Sequence, residues 1–210
     1  MSKPPIFIGI DLSGPANCQD TSLCSFDGDD LKIYRACDDA WLQNHLNELH
    51  SMNRPIFLAI DAPLSYQPGG GYRDVDRALR QLLNEKGYSK IGVMSPTFNR
   101  MVYLTLRAFR LKEICTYYPN IKLFETHPGA ALAIFGADYK ELLTIKSCFE
   151  KGTQLIKPLL DELAFSTEFQ VESDHDVMAI SAMLSAYRYA NQSSLWQFGS
   201  KLDKQPLFIL

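Results

Sequence analysis

Three apolar runs of strand length, each ending in an acid, constrain this 210-residue chain more than any other feature. Ile6-Phe-Ile-Gly-Ile10 runs into Asp11, Pro55-Ile-Phe-Leu-Ala-Ile60 into Asp61, and Ile121-Lys-Leu-Phe124 into Glu125. Short continuous apolar runs bounded by turn residues are the pattern of strands buried on both faces. An α/β fold is therefore expected, and where such strands neighbour one another their terminal acids meet in the crevice outside the strand ends. Convergent carboxylates repel. A hard divalent ion, Mg²⁺ or Mn²⁺, would relieve that repulsion, activate water and stabilise charge on a phosphoryl group, so the chemistry implied is phosphodiester hydrolysis. Each acid taken alone serves equally well as a turn residue ending its strand in solvent; the threefold recurrence favours the functional reading.

Around these runs the pattern alternates. Thr21–Phe26 and Leu31–Ala36 flank the turn Asp27-Gly28-Asp29-Asp30 and read as a hairpin continuing from the first strand. Trp41, Leu42, His45, Leu46 and Leu49 share one helical face, with Asp38 or Asp39 as its cap. Val75, Ala78, Leu79, Leu82 and Leu83 mark a second helix, and Met101, Leu104, Ala108, Leu111 and Cys115 a third after Ser95-Pro96-Thr97. The Gly/Pro-rich stretch at about 66–99 between Tyr66 and Asn99 reads as an insertion or mobile lid. Ala130 to Phe165 is helical by its Leu/Ile spacing, with Pro158 expected to interrupt or begin a helix. A last helix from about Asp174 to Ala190 carries Ala179, Ala182 and Ala186 on one stripe, which permits close approach to a sheet. His175 precedes Ala179 by four residues and should face the acid-bearing edge from that stripe.

Together, Ile8-Gly-Ile-Asp11, Ala59-Ile-Asp-Ala-Pro-Leu64, Arg73-x-x-Asp76-x-x-x-Arg80, Glu125-x-His-Pro128 and His175-Asp176 resemble the DUF429 family of predicted ribonuclease-H-like nucleases over nearly the whole chain. The resemblance implies a ribonuclease-H-like fold, a mixed five-stranded sheet with flanking helices and a helical insertion, formed as a single domain over residues 1–210. It also implies a metal-dependent nuclease whose ligands are Asp11, Asp61 and Glu125, with Asp176 or Asp174 completing the set and His175 as proton shuttle. The family's late helix reads His, acid, any residue, Asp, Ala; here the second Asp is replaced by Met178. Met178 lies three residues from His175 and shares its face, whereas Asp176 is turned about 100° away. The alternative reading is thus a catalytically degenerate nucleic-acid or nucleotide binding module. For His175 itself, a packed or capping role stands beside the catalytic one.

The overall charge of −3 argues against a protein coated with polyanion, yet it is unevenly distributed. From Arg73 to Lys112 nine Lys/Arg face three acids, a net of +6 that leaves −9 for the rest of the chain. Arg73, Arg77 and Arg80 fall at i, i+4, i+7, and Arg100, Tyr103, Arg107 and Arg110 repeat the pattern on the next helix. Basic faces with an aromatic among them suit a phosphate backbone, so Arg73, Arg77, Arg80, Arg100 and Arg107 are candidate substrate-binding residues. A solvated face with local pairs such as Asp76–Arg80 is the plainer account of either helix alone.

Ser13-Gly14-Pro15 after Asp11 offers a weak phosphate-cradle motif, but an actin-like phosphotransferase would need a second similar domain that this length does not supply. Five cysteines at scattered spacings form no zinc or disulfide pattern. With no apolar run near the roughly 20 residues that span a bilayer and no leader-like amino terminus, a cytoplasmic protein off the membrane is expected. Oligomeric state is not legible in the sequence.

Overall fold

The computed structural model describes residues 4–136, 138–163, 165, 168–199 and 206–210. Ala137 and Ala164, within the span expected to be helical, lie outside the described residues. The chain builds one mixed sheet with helices on both faces. Strand β1 (Ile6–Asp11) is followed by β2 (Ser22–Phe26) and β3 (Leu31–Tyr34), then by helix α1 (Asp39–Ser51) and β4 (Ile56–Asp61). Helices α2 (Asp74–Glu85) and α3 (Met101–Thr116) precede β5 (Ile121–Thr126). Then come α4 (Pro128–Phe135), α5 (Tyr139–Leu142), α6 (Phe149–Leu160), α7 (Asp174–Ala190), β6 (Gln197–Phe198) and β7 (Leu207–Ile209). The sheet order is β3-β2-β1-β4-β5-β7-β6. β1, β4, β5 and β7 run parallel, and β2 and β6 are antiparallel to their neighbours.

The sheet has seven strands among the described residues, not the five expected. The additional strands are two and three residues long, too short for a periodicity signal, yet Leu207, Phe208 and Ile209 are buried against the sheet edge. Pro158 lies inside α6, and the helix ends two residues after it. There it removes only a late hydrogen bond, a smaller cost than in mid-helix.

Alternation along β1 explains its unbroken apolar run. Ile6, Ile8 and Ile10 pack with Leu42, Leu46 and Leu49 of α1 and Ala108 and Leu111 of α3, while Phe7 joins the core beneath α7. Gly9 lies on the α7 side, where a Cβ would sit 2.1 Å from both Ala179 O and Met183 N. Only glycine admits that approach, and with the small residues Ala179 and Ala182 it seats α7 directly on β1. The position of the helix start is set by the same contact.

Candidate active site at the strand ends

Two parities meet at the carboxyl edge of the sheet. Asp11 pairs in register with Asp61, so both carboxylates leave neighbouring parallel strands on the α7 side. Glu125 pairs with Ile60 rather than Asp61, which turns it to the opposite face. All three acids nevertheless line one open cleft of about 270 Å³ at that edge, together with Arg73, Asp76 and His127.

On the α7 side, His175 Nδ1 lies 2.6 Å from Asp11 Oδ2, as the alanine stripe implied. Asp174 Oδ1 is 4.0 Å from its Nε2. The bond to Asp11 raises the His175 pKa above its ordinary 6.5, against the opposing effect of burial. Burial pushes the Asp61 carboxyl well above the usual carboxylate range, and the neighbouring Asp11 charge adds to the shift. Asp11 is also raised by burial, tempered by His175. The β1–β4 register holds the two carboxylates side by side, so the charge on Asp11 disfavours ionisation of Asp61.

On the other side one cation bridges two acids. Arg73, at the amino-terminal boundary of α2, bonds Glu125 Oε1 at 2.6 Å and Oε2 at 2.9 Å, and Asp76 Oδ1 at 2.6 Å. The Leu64 N–H donates to Glu125 Oε2 at 2.8 Å, and the Arg73 N–H donates to Asp76 Oδ2 at 2.8 Å. Burial raises the Glu125 pKa, and the Arg73 guanidinium pulls it back. Gly69, Gly70 and Gly71 all adopt a φ of 86° in the bend that leads into this corner, a conformation that favours glycine.

Several expected site residues are placed elsewhere. Asp176 is fully buried and accepts from Ser22 Oγ at 2.8 Å, Arg35 Nε at 2.9 Å and the Glu172 N–H at 2.9 Å. It ties the start of α7 to the β2–β3 hairpin instead of completing a metal set. Met178 packs against the apolar core on the α7 side and is not among the cleft's lining residues. Among the described residues, no group of three or more His, Cys, Asp or Glu side chains is arranged to hold a metal ion.

The arginines divide in the same way. Arg107 is buried and bonds Asp39, Ser13 O, Thr21 Oγ1 and Cys37 O, so it fastens loops rather than facing a ligand. Arg73 is likewise inward and committed to two acids. Arg77 pairs with exposed Asp74, Arg80 lies over the Tyr72 ring at 4.7 Å, and Arg100 is exposed at the start of α3. The Ser13 hydroxyl is taken up by Asn17 O and Thr21 Oγ1 within its own loop.

Sequence reasoning gave His127 no role and paired Asp76 with Arg80 on a solvated face. Asp76 partners Arg73, and the signal was the three-residue spacing of a helix-start capping pair. His127 caps α4 by accepting from the Ala130 N–H at Nδ1 and donating from Nε2 to Gly92 O at 3.0 Å, with its pKa lowered by burial. The His-Pro dipeptide at a helix start was its signal.

The family model described as a protein of unknown function, DUF429, matches residues 9–197. The chain belongs to the DUF429 family. No curated protein and no solved structure matches it. In this DUF429 chain the matched span covers every cleft acid and His175, and no helix among the described residues is long and apolar enough to cross a membrane.

Proposed function

We propose that this chain is a hydrolase of phosphodiester bonds in nucleic acid, working on a ribonuclease-H-like fold. Support for the fold comes from the first five strands, ordered 3-2-1-4-5 with only β2 reversed against β1, β4 and β5. The observation that carries the activity is the Asp11–Asp61 pair, two half-buried carboxylates set in register on neighbouring strands and lining one open cleft.

An anionic substrate meets acids at that floor, since Arg73 is already balanced by Glu125 and Asp76. The donor set therefore fits one divalent cation on Asp11 and Asp61, with the rest of its shell from water and substrate oxygens. Such an ion supplies charge stabilisation on the phosphoryl group and a more acidic water. It is a smaller set than the four carboxylates expected from sequence. His175, held by Asp11 through Nδ1, stands beside the cleft rather than among its lining residues, and in this reading it carries a proton at Nε2 for the leaving oxygen. Glu125 and Arg73 shape the opposite wall.

The test is cleavage of labelled oligonucleotides in Mn²⁺, with calorimetric titration of the same ion. Asp11→Asn and Asp61→Asn should each lose Mn²⁺ binding and reduce cleavage by about 10²-fold or more. Unchanged Mn²⁺ binding in both variants, or no cleavage by the wild type, would set the hydrolase aside. The second reading, a binding module, draws on the engagement of Asp176 by Arg35 and of Glu125 by Arg73. Binding of nucleic acid without cleavage would favour it.

A further inference from the structure

We propose that α3 and the turn before it form a stacking surface for single-stranded nucleic acid that leads into the cleft; this rests on the phosphodiesterase reading and narrows its substrate. Six of the eleven exposed large apolar side chains found among the described residues fall between Tyr66 and Leu106, a fifth of the chain. Phe98 and Tyr103 are 60% and 59% exposed, in a protein whose other aromatics largely pack against one another. Rings left in water at this density point to something that covers them.

The helix carries these groups on one side. Leu104, Ala108 and Leu111 pack inward, and Met101 and Leu104 also line the cleft. The outward side presents Arg100, Tyr103, Leu106 and Arg110 at spacings of three and four residues. Met94, exposed and also part of the cleft wall, bridges from that side to the site. Tyr66, on the neighbouring cavity, packs on Phe109 of α3 with ring centroids 6.0 Å apart. Met101 and Leu104 put α3 at the cleft wall, and Tyr66 adds a further exposed ring against the same helix.

Charge selects the occupant. Arg100 and Arg110 flank Tyr103 on a segment with a net charge of +6, whereas the remainder of the chain is negative. Arg110 is paired with Asp39 at 3.5 Å, so Arg100 is the group that an apolar protein partner would cover without a counter-charge, while a phosphate backbone supplies one per nucleotide. A duplex hides the faces of its bases, so exposed rings gain little from it. A single strand offers every base face to a ring and is gripped without sequence readout. The cleft adds apolar walls from Leu79, Val93, Met94 and Phe208 above the acids, suited to a base whose phosphate lies at the floor.

Fluorescence anisotropy of a labelled oligonucleotide, single-stranded and as a duplex, tests this with the Asp11→Asn protein in chelator, so that neither cleavage nor cation contributes. The single strand should bind at least about tenfold more tightly than the duplex. Tyr103→Ala and Phe98→Ala should each weaken it about tenfold, while Tyr103→Trp retains affinity. Arg100→Ala should lower affinity and reduce its salt dependence. Equal binding of duplex and single strand, alanine variants that bind as before, or a self-associated protein whose dimer is lost in Tyr103→Ala would each overturn the proposal. Cleavage that persists with no loss in these variants would leave the hydrolase standing and remove the stacking surface; ring-dependent binding without cleavage would do the reverse.

Discussion

The two halves of the cleft solve the same electrostatic problem differently. On the α1/α3 side of the sheet edge, buried Glu125 and Asp76 are bridged by one Arg73 through short, multiply bonded contacts. On the α7 side, Asp11 and Asp61 stand in register on neighbouring strands, where burial and the Asp11 charge disfavour ionisation of Asp61, and Asp11 is bonded by a half-buried histidine. The arginine-paired half is complete as it stands. The aspartate half is the one whose charge changes with pH, cation or substrate, so the reactive chemistry is assigned there and the scaffold to the other.

The largest expected effect tests the completeness of the first half. Arg73→Met would leave two buried acids without their cation, and removing one partner of a buried ion pair costs about 3–5 kcal/mol. Urea unfolding should show that loss, with part of it recovered by adding Glu125→Gln. Arg77→Ala removes an exposed pair with Asp74 and should barely change stability. Similar losses for Arg73→Met and Arg77→Ala would dissolve the contrast between the halves.

A middling effect is expected at Met178, and it bears on how far the sequence could be read. Strand ends carrying Asp11 and Asp61 were legible because strands buried on both faces leave their pattern in the sequence. The approach of His175 to Asp11 was legible from the alanine stripe, although the partner that makes it close, Gly9, read only as a strand residue. Cross-strand register was not legible: a strand's side chains alternate faces, and nothing in Ile121–Phe124 alone says that Glu125 pairs with Ile60. Nor was the inward turn of Arg73 and Arg107, since helical spacing places a residue on a face without saying whether that face is wet. Met178 was expected to point at the acids and instead touches the apolar core. Met178→Asp should therefore cost about 1–3 kcal/mol through burial of a polar group, with no gain in Mn²⁺ affinity. Tighter Mn²⁺ binding at unchanged stability would return that position to the site.

The smallest effect separates the halves by pH. The folded pKa of Asp61 lies above its ordinary 3.8, so its contribution to stability is complete below about pH 4 and is lost as pH rises through the raised value. His175 acts in the same direction higher up: its folded pKa exceeds 6.5, and its contribution is present below that and lost as pH climbs past it. The cation-free protein should thus lose stability in two stages from acid to alkaline pH. Asp61→Asn removes one of the two neighbouring charges, so it should abolish the first stage and raise the neutral-pH melting temperature by about 2–4 °C. The second stage should survive in Asp61→Asn and vanish in His175→Gln. Mn²⁺ should stabilise the wild type at neutral pH, because an ion bound to the folded state alone shifts the equilibrium toward it, and should do so far less in Asp61→Asn. Thermal melts across pH, with and without the ion, read all of these together. A lower melting temperature in Asp61→Asn with the wild-type pH slope intact would mean that the aspartate pair is a settled structural contact like its arginine-bound counterpart.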